Sequence, residues 1–434
     1  MPVTFAPAAV VPQLVAASAL TQLNRTAVFA RAARGDYEAK AYQKGDTVTV
    51  RRARIVRSQN YDPRSGTPAT STEPGYVSAT LTLDALFTAG FPVYGQDNND
   101  SAQKYVTEYG QQIAAAIAAD CDEYFYGKFR SVSVPASGLV SYGAQPPVAI
   151  VAADQAGLLR DFSKTQLINA NTRLESENVP ASDRFAILST AAKGAFLGDS
   201  VLVEGFTATA AGSAALLQGG IPIGSFVPRY GFQVGGSNSV GSQTGVADLD
   251  TAAGNSATLP IASVVVDANF TIADFATSTP LGAVAITLTV GTALQGVAVG
   301  QIARIGTGGN TTAYGLVLRV ASNVVTVVPF APSGKKLVAA QITPGTDVFS
   351  IPDIGSISVA HHRESLLFTT RNIAAPSDGS GASMTTIADD LTGMVIQILR
   401  GSYKVDEFKE SQRYATLLGA LLSDHRKAVL ILSN

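Results

Sequence analysis

Between positions 100 and 128 apolar and polar residues recur with the period of a helix. At 100° per residue, Ala102, Tyr105, Val106, Tyr109, Ile113, Ala116, Ile117 and Tyr124 share one face, and Lys104, Thr107, Gln111, Ala118 and Asp122 lie opposite. The stretch holds no proline and one glycine, Gly110, and Asp97 and Asp100 put negative charge at the positive end of the helix dipole. The spacing predicts a helix of roughly 27 residues, about 40 Å long. That is over twice the common length of about 11 to 12 residues. Asp120, Asp122 and Glu123 stand near its carboxyl end, where the dipole disfavours them, and Asp120 intrudes on the apolar face. Either a neighbouring element takes a polar contact there or the last turn frays.

The pattern changes to period two on the amino-terminal side. Val48, Val50, Ile55 and Val56 fit an outgoing strand, and Val77, Ala79, Leu81 and Leu83 alternate with Ser78, Thr80 and Thr82 on the return. Residues 46–96 therefore read as a long β-hairpin, with a tip, YDPRSGTPATSTEPGY, too long for a tight turn and too polar for a core. Residues 1–45 read as an arm, with Pro12, Leu14, Val15, Leu20 and Leu23 suiting a short docked helix or a frayed terminus.

After a Gly/Pro/Ser connector, Phe162, Leu167, Ile168 and Leu174 predict a helix ending near Asn178 and Pro180, and RFAILS at Arg184 to Ser189 predicts a buried strand. Charge thins out from about Gly235 to Pro352. Short strands ASVVVD, AVAITLTV, QIARIG, YGLVLRVAS and NVVTVVPF follow one another between Gly- or Asn-containing turns. That spacing predicts a small β-barrel or sandwich, self-contained and inserted into the main fold, with its two ends close together. The last 82 residues return to mixed character: HHRESLLFTTRNIAAP joins a polar start to an apolar strand, and further strands follow to the terminus.

Composition narrows the function. The chain has 434 residues, long enough for two or more domains, with 15% charged residues and a formal charge of −2. A dedicated nucleic-acid reader carries a basic excess that is missing here. The charged fraction lies below the usual quarter or so, which suits a surface largely covered by other subunits or a secreted β-rich protein. The amino-terminal residues are apolar, but the first basic side chain is Arg25, unlike a secretory signal, and no apolar run reaches membrane-spanning length. One cysteine, Cys121, excludes an internal disulfide, and the acids near it would raise its thiol pKa and leave it inert.

No catalytic constellation emerges. Gly306, Gly308 and Gly309 miss the third glycine of a phosphate loop, Gly334-Lys335-Lys336 lacks the rest of a Walker loop, and Gly379-Ser380-Gly381 is no nucleophile elbow. Ser423, Asp424 and His425 are adjacent, so on a strand they point to opposite faces and cannot relay a proton. His361, His362 and Glu364 offer too few convergent ligands for zinc. No catalytic, metal or cofactor site is expected. Arg51, Arg52, Arg54 and Arg57 crowd seven positions of the hairpin limb, with Arg64 in the tip. They suit a solvated strand face or an intersubunit ion-pair surface better than a nucleic-acid patch.

Arm, two-stranded loop, very long helix and an α+β body carrying a β insertion together resemble the major capsid protein fold of tailed double-stranded-DNA phages, the Hong Kong ninety-seven-like fold. The resemblance is nearest to the short-tailed-phage coat subfamily with an inserted β domain. It is most specific in AHHRESLLFTTRNIAAP, through His362, Arg363, Glu364 and Ser365. The terminal strands match through Tyr403, Arg413, Leu417-Leu418-Gly419 and Arg426 to Val429; in LQGVAVGQIARIG, Gln301 stands where the family has an acid. The resemblance implies an arm at 1–45, an extended loop at 46–96 and a spine helix at 97–130. A peripheral domain with the start of the axial domain would occupy 131–235, the inserted domain 236–352, and the axial domain with the terminal strands 353–434. It further implies hexamers and pentamers in an icosahedral shell around double-stranded DNA held without sequence preference, a portal, and location in a virion assembled in the host cytoplasm. With no long amino-terminal extension, a separate scaffolding protein is expected. Residues 45–103 contain no lysine, so covalent welding of neighbours from a loop lysine is not expected. An encapsulin-type compartment shell, within the same fold, and an extracellular β-rich surface protein are the alternatives.

Overall fold

A computed structural model describes residues 27–35, 45–53, 76–94, 102–130, 148–151, 159–198, 226–250, 256–266, 271–273, 280–283, 285–306, 313–330, 342–373, 383–388, 393–401 and 409–434. The first elements are a short helix α1 (Val28–Ala32), strands β1 (Thr47–Ala53), β2 (Tyr76–Thr82) and β3 (Ala85–Tyr94), and the long helix α2 (Ala102–Arg130). Next come β4 (Val148–Val151), α3 (Lys164–Ser176), β5 (Arg184–Leu188), α4 (Thr190–Leu197), β6 (Val227–Arg229) and β7 (Phe232–Gly236). The central stretch supplies β8 (Leu259–Val266), β9 (Thr271–Ala273), β10 (Pro280–Ala283), β11 (Ile286–Val290), β12 (Ile302–Ile305), β13 (Ala313–Ala321), β14 (Val324–Phe330) and β15 (Val348–Ser350). The last elements are β16 (Ser356–His362), β17 (Leu366–Arg371), β18 (Ser383–Ala388), β19 (Val395–Arg400), β20 (Lys409–Leu422) and β21 (Ala428–Ser433).

The 29 residues of α2 make a rod about 43 Å long. Its buried stripe is Gly110, Ala114, Ile117, Ala118, Cys121, Asp122, Phe125, Tyr126 and Phe129, while Ala116 and Asp120 are exposed. This face is turned by about a third of a revolution from the one the pattern predicts. Phe125 and Phe129, the bulkiest apolar groups of the last turns, decide the orientation, and Ala114 and Ala118 are small enough to let α1 approach. Asp122, expected on the polar side, is therefore inside.

Two sheets flank this helix. One is six-stranded, in the order β4, β21, β16, β5, β7, β6; β4 on β21 and β5 on β7 are parallel and the other pairs antiparallel. Its central strands β5, β16 and β21 are buried along their whole length, as their apolar runs require. Helices α3 and α4 supply Leu167, Ala170, Leu174, Ala192 and Phe196 to a second core with Phe232 and Ile431. In the other sheet the long β20 pairs with β17 and β19 along one edge and with β3 along the other, and β18 closes on β19. Strands from before and after the central stretch are thus interleaved in both sheets or share one strand order.

The predicted hairpin is present as seven antiparallel residue pairs, from Thr47 with Thr82 to Ala53 with Tyr76. The pattern ran the return limb on through residue 96. The chain instead breaks at Leu83 and Asp84, and β3 joins β20 in register from Ala85 with Leu418 to Tyr94 with Lys409. Ile55 and Val56, and the tip, lie outside the described residues. So does the apolar stripe expected before Asn24.

Strands β11, β14, β13, β12, β15 and β8 form a closed antiparallel barrel. Closure leaves none of the six with an open edge. Ile261, Leu288, Ile305, Val317, Val327 and Phe349 fill it. Gln243 and Ile354, which flank the barrel strands, exchange backbone hydrogen bonds of 2.8 and 2.9 Å. The Gln243 amide also accepts from Ile302 N–H at 2.7 Å and donates to the Ile302 carbonyl at 2.8 Å. Only the barrel interior is self-contained. Its outer face, through Ile302, Tyr314, Leu316 and Leu318, belongs to the main core with α2, β5 and β16.

Candidate functional site

Of the predicted arm and hairpin, the described parts are the short helix α1 and the pair β1–β2, and each is tied to the packed body. The arm root is α1. Backbone N–H groups of Val28 and Phe29, which have no partner inside a five-residue helix, donate to the two carboxylate oxygens of Asp122 at 2.9 and 3.0 Å. Ser237 Oγ donates to the same carboxylate at 3.4 Å. Burial pushes Asp122 up to about 7, against the downward pull of those hydrogen bonds. The polar contact the helix pattern anticipated therefore exists, made by Asp122 rather than Asp120. Beyond α1, Arg34 bridges to Leu367, Arg363 Nε donates to the Ala33 carbonyl at 3.2 Å, and Arg34 stands 3.6 Å from Glu364.

The hairpin root rests on β20. A Cβ added at Gly419 would come within 2.2 Å of the Thr82 carbonyl oxygen, so only glycine lets the hairpin base lie on this strand. Leu81 packs with Leu367 and Leu421, and Leu83 with Leu417 and Ile373.

The segment around His361 is structural. His361 and His362 end the buried strand β16, rather than forming a polar start, because β17 begins only after a 3-10 turn at Arg363–Ser365. His361 is fully buried between Phe129, at 5.1 Å, and Phe185, at 6.2 Å between ring centroids. Its Nδ1 lies 3.3 Å from Ser365 Oγ, and its Nε2 has no partner among the described residues. Burial lowers its pKa to about 4, so the ring is neutral. The His362 ring accepts from Glu364 N–H at 3.2 Å, and Lys427 pairs with Glu364 at 2.5 Å, holding that carboxylate below its ordinary range. The three residues face different partners and do not converge on one point.

The other sequence candidates are equally dispersed. Ser423 Oγ donates to the carbonyls of Glu364 and Ser365, at 2.7 and 2.9 Å, and Asp424 pairs with Arg426, so neither is poised on a base. Cys121 is buried, and desolvation above all, then Asp122 and Asp120, raises its thiol pKa. Gly306 follows β12, with its N–H on the Val348 carbonyl; Gly308, Gly309, Gly334, Lys335, Lys336 and Gly379-Ser380-Gly381 lie outside the described residues. Among the described residues no cluster of potential ligands could hold a metal, and no helix is long and apolar enough to cross a membrane. Arg51 and Arg52 sit on β1 opposite Ser78 and Val77. Arg54, Arg57 and Arg64 lie outside the described residues.

No protein-family model matches the chain, and no curated protein matches it. Similarities among solved structures run over nearly its whole length. A structure from Mycobacterium phage Che8 is 12% identical, with 94% of this chain and 91% of that one covered and a TM-score of 0.43. The capsid of cyanophage P-SCSP1u is 8% identical, covering 94% and 89%, with a TM-score of 0.45. The capsid of an empty GTA particle is 11% identical, covering 94% and 89%, with a TM-score of 0.39. What the chain itself presents is an α+β scaffold with a closed barrel, two sheets on a long helix, and a hairpin rooted at one end.

Proposed function

We propose that the chain is the major capsid protein of a tailed double-stranded-DNA phage, a structural subunit and not an enzyme. Copies assemble into hexamers and pentamers of an icosahedral shell that encloses the genome. The order of elements along the chain carries this reading: an arm root, a two-stranded hairpin, a 29-residue helix, and a two-sheet body interrupted by a closed barrel. It is the order that the sequence resemblance implies. Physical chemistry favours it too, because an isolated two-stranded hairpin is at best marginally stable in water and its open edges invite pairing with another chain. In a shell, neighbouring copies supply that cover.

In finer terms, residues 46–96 lie across a neighbouring subunit and 97–130 form the spine. Residues 131–235 and 353–434 build the peripheral and axial parts, and 236–352 form the inserted domain of the short-tailed-phage subfamily. Arg51, Arg52, Arg54, Arg57 and Arg64 meet acidic groups of a neighbour. A separate scaffolding protein and a portal take part in assembly in the host cytoplasm, the DNA is held without sequence preference, and the shell is non-covalent. Electron microscopy of the chain co-expressed with its phage's other head proteins tests the main claim: closed particles are expected, and a stable monomer under those conditions refutes it. Particles boiled in denaturant should run as a single monomer band, whereas ladders on the gel would refute non-covalent closure.

A further inference from the structure

Strand β2 ends at Thr82 and β3 begins at Ala85, so Leu83 and Asp84 are the joint where the hairpin leaves the body. Leu83 is fully buried, its N–H donates to the Asp46 carbonyl at 3.0 Å, and its carbonyl accepts from Gly45 N–H at 2.7 Å. Asp84 turns outward to α2. One carboxylate oxygen accepts from the Tyr124 hydroxyl, and the other accepts from Lys128 Nζ at 3.2 Å. Lys128 Nζ also lies 4.4 Å from the centre of the Tyr124 ring, within cation–π range.

The same hydroxyl accepts from Ala420 N–H at 3.2 Å. Ala420 stands just past Leu418, the last β20 residue that β3 pairs, so Tyr124 takes up a donor where that ladder stops. One phenol thereby joins the hairpin joint, the long helix and the sheet. Its ring is held edge-on by Phe87 and Phe125, at 6.0 and 5.9 Å, and burial, then Asp84, raises its pKa, which keeps it a donor at neutral pH. The charged members are more open to solvent: the Asp84 side chain is 48% exposed and that of Lys128 24%. An ion pair so placed breaks without disturbing the core.

We propose that Asp84, Tyr124 and Lys128 form a latch that sets the angle between the hairpin and the body. When it opens, the hairpin pivots about the buried Leu83 and its seat over Gly419. The latch is a property of the single chain and holds whether or not the chain builds shells.

Paired spin labels at Thr80→Cys on the hairpin and Gln112→Cys on α2 read this angle as a distance distribution, in the full-length chain with Cys121→Ala. A narrow distribution is expected with the latch intact. It should broaden in Asp84→Ala and in Tyr124→Phe, and stay narrow in Glu123→Gln, a neighbouring exposed acid on the same helix. Tyr124→Phe keeps the ring against Phe87 and Phe125, so it decides the matter if Asp84→Ala does not fold. A broad distribution in the intact chain, an unchanged one in Tyr124→Phe, or equal broadening in Glu123→Gln would each overturn the latch.

Discussion

Two buried titratable residues lean in opposite directions. Asp122 carries a native pKa raised to about 7 from 3.8, so its native form binds the proton more tightly than the unfolded chain does. Its contribution is complete below about pH 4 and is lost as pH rises through 7. His361 is lowered to about 4 from 6.5; its contribution is complete above 6.5 and is lost as pH falls through 4. Across pH 4 to 6.5 the two slopes, each approaching 1.4 kcal/mol per pH unit, largely cancel. Urea midpoints measured over this range should therefore change slope in opposite senses relative to the parent: more positive with pH in Asp122→Asn, more negative in His361→Phe. Equal profiles in all three proteins would refute the assignment. Gln243 is a different kind of case. Gln243→Leu leaves the Ile302 N–H and carbonyl without their side-chain partner, and each buried orphan costs about 1 to 3 kcal/mol. Denaturant unfolding should register the loss as a lower midpoint.

At the scale of elements, α2 and the hairpin show how much period alone conveys. Apolar spacing gave the existence and length of the helix, because a stripe repeating every three or four residues has no other regular solution. It misplaced the inward face. Alanine and cysteine are ambivalent between core and surface, and the burial of Asp122 depends on orphan N–H groups from a helix about ninety residues earlier in the chain. The hairpin was legible up to Thr82. The change of partner at Leu83 was not, since Ala85 to Tyr94 alternates no differently whether it pairs with β1 or with β20. Gly419 marks this exchange in the sequence only in hindsight. Gly419→Ala should push the hairpin base off β20 at a cost of about 1 to 3 kcal/mol, with faster hydrogen exchange at the Leu83 amide as the specific sign. A lower melting point without that local change would point to general strain instead.

For the molecule as a whole, the barrel and the body are joined through a shared core. Ile302, Tyr314, Leu316 and Leu318 on the barrel exterior meet the body, and Arg130 at the end of α2 donates to the Gly300 carbonyl at 3.4 Å. A segment covering 243–354 expressed alone would bare that apolar face, and association is the expected result on size-exclusion chromatography. Replacing Tyr314, Leu316 and Leu318 by threonine should restore a monomer with dispersed amide resonances, because the interior around Leu288, Val317 and Phe349 is unaffected. A monomer without those changes would show that the outer face does not need the body.

By itself the sequence determined the local periods: a long helix, a two-stranded limb, and a run of short strands between turns. These follow from neighbours along the chain, where side-chain direction is dictated by backbone geometry. Only the tertiary structure decided which face of the helix turned inward, where Ala85 went for its partner, and that Asp122 and Asp84 anchor the two limbs. Each of those choices pairs residues dozens to hundreds of positions apart, and the free energy of such a pair belongs to neither segment until the chain has brought them together.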